Sequence, residues 1–98
     1  MKFREVQQAV RAWFDTVTCK RGIRVDVVRS DDGGFRVFFE SADKMGELIV
    51  AQPDFAPFRF VSFQILRTDE VPVFCYYDSD GSSVSEILAQ LDVGLKMM

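Results

Sequence analysis

Histidine is absent from this chain of 98 residues. Its absence removes the commonest general base, the Ser-His and Cys-His activation pairs, and the most frequent metal ligand. Ordinary hydrolase chemistry loses most of its candidates with it. Cysteine occurs only as Cys19 and Cys75, which are too far apart in sequence to form a close metal-binding pair. In a hydrophobic chain without a signal peptide the two thiols read as reduced, buried residues rather than a disulfide. No uncharged apolar run approaches the roughly 18 residues of a membrane span. The opening Met1-Lys2-Phe3-Arg4-Glu5 has charges where a secretory peptide needs its apolar segment. A cytoplasmic protein that does not act at a membrane is expected.

What is present is the composition of a globular protein. Hydrophobic types make up 48% of the chain and charged residues 28%, without internal repeats or low-complexity stretches. A chain of this length buries roughly two-thirds of its unfolded surface, enough for a core without metal or disulfide support, so residues 1–98 read as a single α+β domain. Charge is unevenly spread: residues 1–29 carry seven basic side chains against three acidic, and the remainder five against twelve. Such asymmetry either steers a charged partner or is neutralised between two parts of the fold. The acidic pI of about 4.8 disfavours nucleic acid, although Arg24, Arg29, Arg36 and Arg59 lie near phenylalanines.

Spacing locates the elements. Phe3, Val6, Val10, Trp13, Phe14 and Val17 fall on one helical stripe, which predicts a helix from Phe3 to Lys20 capped by Gly22, with Trp13 as a core anchor. The period then changes to near alternation at Ile23, Val25 and Val27, a strand. Asp31-Asp32-Gly33-Gly34 reads as a tight hairpin whose residues tolerate positive backbone angles, and Phe35 to Glu40 as its second strand. A break at residues 42–46 precedes a third strand, Glu47 to Ala51. Phe55 lies in a proline-bounded bend and is expected to dock on the body. Phe58 to Arg67 and Val73 to Tyr77 complete five strands, and a helix from Ser83 to Lys96, capped by Ser82 or Ser83 with Glu86 behind, closes the chain. Connections this short force an antiparallel five-stranded meander with both helices packed on one face.

The two sheet faces then carry the functional expectation. Val25, Val27, Val37, Val50, Val61, Phe63 and Ile65 are assigned to the helix side, while Phe38, Ile49, Phe58, Phe60, Phe74 and Tyr76 fall on the other side among Arg36, Glu47 and Arg59. An apolar face with no third layer marks an interface; the alternative is a curled sheet that encloses these rings in its own core. Phe38, Ile49, Phe60 and Tyr76 are the expected anchors for a protein partner. Asp31, Asp32, Asp78 and Asp80 are expected to steer it.

Other motifs are weaker than structural readings of the same residues. Asp78-Ser79-Asp80-Gly81 begins like a calcium loop, but Glu86 stands at the wrong spacing and a turn with a helix cap accounts for it. Gly33-Gly34 lacks the strand-to-helix setting of a phosphate cradle. No catalytic residue, cofactor or metal site is expected.

Gly46-Glu47-Leu48-Ile49-Val50, set between a helix with a hairpin and an aromatic strand with a terminal helix, resembles a pattern seen among small bacterial immunity proteins of polymorphic and contact-dependent toxin systems, the TriTu group. Such relatives often continue with tryptophan, where this chain has Ala51. The resemblance implies a cytosolic, non-catalytic protein that binds and neutralises a toxin domain. A homodimeric structural subunit or secretion-type chaperone, and a small-molecule binder in a curled sheet, are the alternatives.

Overall fold

The computed structural model describes residues 3–17 and 22–98. Helix α1 (Phe3–Val17) is followed by strands β1 (Arg24–Asp31), β2 (Gly34–Glu40), β3 (Lys44–Ala51), β4 (Val61–Arg67) and β5 (Pro72–Tyr77), and by helix α2 (Val84–Lys96). The strands pair antiparallel in chain order, as the short connections require, and the sheet is open with β1 and β5 at its edges. This is the expected α+β meander.

The apolar stripe of α1 is buried at Phe3, Val6, Val10, Trp13 and Phe14. The Trp13 indole Nε1 donates to Asp92 Oδ1 at 2.7 Å, which satisfies the one polar atom of a buried ring and ties α1 to α2. Helix α2 begins at Ser83, whose extended backbone lets Oγ accept from the Glu86 N–H at 3.1 Å. Thr18 to Lys20, over which the first helix was expected to continue, lie outside the described residues. Gly22 has a φ of 79°, the left-handed conformation that glycine adopts readily.

Both helices pack on the same side of the sheet, over Phe35, Val37, Phe39, Leu48, Val50, Val61, Phe63 and Ile65. Alternation puts every one of these on that face, so the strands supply a continuous apolar floor. Helix α2 comes close because Gly94 has no side chain: a Cβ there would stand 2.8 Å from ring atoms of both Phe63 and Phe74. The rings beneath meet edge to face, Phe14 on Phe35 at 5.2 Å and Phe63 on Phe74 at 6.0 Å, the arrangement that aromatic quadrupoles favour.

Several expected boundaries move for local reasons. Strand β3 starts at Lys44 rather than Glu47, because the Ser41 N–H donates to the Lys44 carbonyl and closes the turn early. Strand β4 starts at Val61 rather than Phe58, since residues 58–60 bend along the end of β5 instead of joining the ladder. The hairpin at Asp32-Gly33 forms without positive φ at either residue; Asp31 Oδ1 accepts from the Gly33 N–H at 2.7 Å and holds the turn instead. Cys75 was expected to be buried and is an exposed free thiol; Cys19 lies outside the described residues. Among the described residues no helix is long and apolar enough to cross a membrane.

Candidate protein-binding face

The side of the sheet opposite the helices is uncovered among the described residues. Register lays it out in rows across the strands. Arg29, Arg36, Ile49, Ser62 and Tyr77 form one row, and Asp26, Phe38, Glu47, Gln64 and Cys75 the next. Arg24, Glu40, Met45 and Leu66 form the third. Phe38, Met45 and Tyr77 are each about two-fifths exposed, at 39%, 42% and 38%. For Phe38 and Met45, which stand on the interior strands β2 and β3, these are large apolar surfaces.

The polar members are paired with one another. Arg36 Nε donates to Glu47 Oε2 at 2.9 Å, and the same guanidinium lies 5.2 Å from the Phe38 ring centroid. Arg24 and Glu40 approach to 3.6 Å. Gln64 Nε2 donates to the Tyr77 hydroxyl, and Phe58 stacks on the Tyr77 ring. The Tyr77 phenol is held above its ordinary pKa, first by its hydrogen bond with Cys75 and then by burial. Arginine stacked on phenylalanine, with its charge met by a neighbouring carboxylate, leaves the aromatic edges free for contact. Two open hollows mark the face: one of about 210 Å³ beside Phe38, Met45 and Leu66, and one of about 440 Å³ between Val28, Arg36 and Ile49.

Of the four expected anchors, Phe38 and Ile49 lie on this face and Phe60 and Tyr76 do not. Tyr76 pairs with Phe63, a helix-side residue. Phe60 packs edge to face on Phe3 of α1, with ring centroids 5.4 Å apart. Phe74 also turns toward the core. The assignment failed because the bend at residues 58–60 and the irregularity between Ile65 and Leu66 break the count of alternate positions. Burial, followed by the charges of Asp78 and Glu86, raises the Tyr76 pKa, opposed by a hydrogen bond with Ser82. Val27, assigned to the core, is 43% exposed because the helices sit mainly over the later strands and cover β1 only in part.

The four expected acidic residues lie at one end of the sheet but in different roles. Asp31 and Asp32 are exposed on the β1–β2 turn. Arg29 Nε donates to Asp31 Oδ2 at 3.0 Å, and this bond, with the Gly33 N–H, lowers the carboxyl pKa. Asp80 is exposed and faces Arg59 at 3.2 Å. Asp78 is only 1% exposed and cannot meet a partner: its Oδ1 accepts from the N–H groups of Phe60 and Val61, both at 2.8 Å. It fastens the end of β5 to the start of β4. Phe55, expected to dock, is instead 99% exposed beside Asp54 on the loop at this same end.

Met45, Leu66 and Tyr77 were not expected on the face. Counting alternate positions outward from Leu48 and from Phe63 would have found the first two. Among the described residues no group of three or more potential metal ligands is clustered. No known protein family, curated protein or solved structure matches the chain.

Proposed function

We propose that this protein is a non-catalytic protein-binding module that receives a partner on its uncovered sheet face. The observation that carries the reading is the set of Phe38, Met45, Ile49, Leu66 and Tyr77 on one sheet face, with no helix or strand packed over it among the described residues. The partner's matching surface is apolar at its centre and basic at one side, because Asp31, Asp32 and Asp80 stand exposed at one end of the face. The lack of histidine agrees with a role in binding rather than catalysis. The specific form of the proposal, suggested by the resemblance of Gly46-Glu47-Leu48-Ile49-Val50, is an immunity protein acting in the cytoplasm on a toxin domain.

Co-expression with the products of adjacent genes, followed by titration of any protein that co-purifies, tests both levels. Phe38→Glu is expected to weaken that complex at least about 30-fold while leaving the fold intact; Gln90→Glu on the exposed side of α2 is the control. Undiminished affinity in Phe38→Glu overturns the face, and a bound protein without toxicity overturns the immunity form alone.

A further inference from the structure

Strand β1 differs from its neighbours in being thinly covered and in having one backbone edge free: its residues from Asp26 to Asp31 are all exposed, with α1 reaching it through Gln7 and Arg11, which donate to the Asp31 carbonyl, and among the described residues nothing pairs with its outer edge. Its sequence, Arg24-Val25-Asp26-Val27-Val28-Arg29-Ser30-Asp31, alternates charge in an order that is complementary to itself when reversed. Against an antiparallel copy, Arg24 stands opposite Asp31 and Asp26 opposite Arg29, with Val27 opposite Val28 at the centre.

Whether those partners share a face depends on a local irregularity. In a regular strand, positions 24 and 31 lie on opposite faces, as do 26 and 29, and the pairing would fail. The register shift between Val27 and Arg29 makes Val28 an extra residue. It brings Arg29 opposite Arg36 and Asp31 opposite Gly34, on the same face as Arg24 and Asp26. All four charges therefore point to one side, and Val25 and Ser30 face each other on the other side. Both copies carry the extra residue, so neither strand outruns the other.

We infer that β1 is a self-recognition edge, on which a second copy of this chain adds its own β1 antiparallel about a two-fold axis perpendicular to the sheet, near Val27 and Val28. Main-chain hydrogen bonds supply the ladder, as in other strand additions, and the charge order selects the register. A shift by two residues in one direction sets Arg24 against Arg29, and in the other Asp26 against Asp31, so neighbouring registers are repelled. The pairing covers Val27 and Val28, which are 43% and 47% exposed in the single chain. Arg24 and Arg29 already lean on Glu40 and Asp31 within their own chain, and a guanidinium has donors left to reach across. The result is one continuous ten-stranded sheet with both helix pairs on one side and both uncovered faces on the other.

Light scattering and sedimentation over a wide concentration range test this with charge-reversed chains. Wild type is expected to dimerise. Asp26→Arg and Arg29→Asp should each weaken the dimer at least about tenfold, since each sets like charges opposite one another twice. An equimolar mixture of the two variants should recover a heterodimer, because the two basic side chains at positions 26 and 29 of one chain then meet the two acidic side chains at positions 29 and 26 of the other. Circular dichroism checks that each variant is folded, and concentration-dependent slowing of amide exchange along β1 in the wild type gives a reading free of substitutions. A wild type that stays monomeric, a dimer indifferent to both reversals, or a mixture that does not recover overturns the inference. Phe38→Glu separates this edge from the uncovered face: it should leave the dimer intact, and a dimer lost only in that variant would place self-association on the face instead.

Discussion

The two faces of one sheet are made by alternate residues of the same strands and reach opposite ends. Leu48, Val50, Phe63 and Ile65 are at most 1% exposed beneath the helices. Ile49, Gln64 and Leu66, their immediate neighbours, are only half-buried. Backbone, pairing and local propensity are shared, so the difference comes from the third layer: α1 and α2 cover one side, while among the described residues no helix or strand lies over the other, where Phe58 stacks on Tyr77 and Ser62 is buried. A face that stays apolar without a cover is under a different requirement from a face that makes the core. On the helix side polar atoms are few, and the Trp13 indole meets its partner across the two helices at Asp92. The open side is a mosaic in which rings border ion pairs or hydrogen bonds, as Phe38 borders Arg36 and Glu47, the composition of surfaces that meet water and a partner in turn.

Substitutions across the sheet should measure that contrast directly. Phe63→Ala removes a ring with no exposed surface from the middle of the core, and urea denaturation should show a loss of about 3–5 kcal/mol. Phe38→Ala on the other face should lose less than about 1 kcal/mol. Similar losses at the two positions would mean that the second face is covered in solution.

Two intermediate effects probe how the core side is held together. Asp78→Ala leaves the N–H groups of Phe60 and Val61 without their acceptor and should cost about 1–3 kcal/mol, whereas Asp80→Ala, two residues on, should be near neutral. Gly94→Ala pushes a methyl group against the Phe63 and Phe74 rings and should destabilise by about 1–3 kcal/mol on thermal unfolding, although alanine is the better helix former. The smallest effect is a gain. Glu70 has a φ of 68° in the β4–β5 turn, so Glu70→Gly should stabilise by about 0.5–1 kcal/mol by the same measurement.

The element order was legible in the sequence because the period changes cleanly, from the stripe of α1 to the alternation of the strands and back at Val84. Phe38 and Ile49 were placed correctly because β2 and β3 pair without interruption. Phe60 and Tyr76 were misplaced because they lie beyond a bend or beside a register shift, where counting by twos loses its origin. Asp78 was misread for another reason: in a run of Asp, Ser and Gly nothing distinguishes a solvated carboxylate from one turned inward to accept two backbone N–H groups. Gly94 gives no local sign of a close helix-to-sheet contact, since the rings it meets are distant in sequence. The extra residue at Val28, which decides the facing of the charges on β1, likewise shows only once β1 is paired with β2.

Oxidative footprinting of two methionines tests the uncovered face most directly. Met45 on that face and Met97 at the end of α2 are 42% and 40% exposed, so each serves as the reference for the other. In dilute free protein both should oxidise at similar rates, and in complex with a co-purified protein partner Met45 alone should be protected. A Met45 already shielded in the free chain, or one that remains as reactive as Met97 in the complex, would contradict the account.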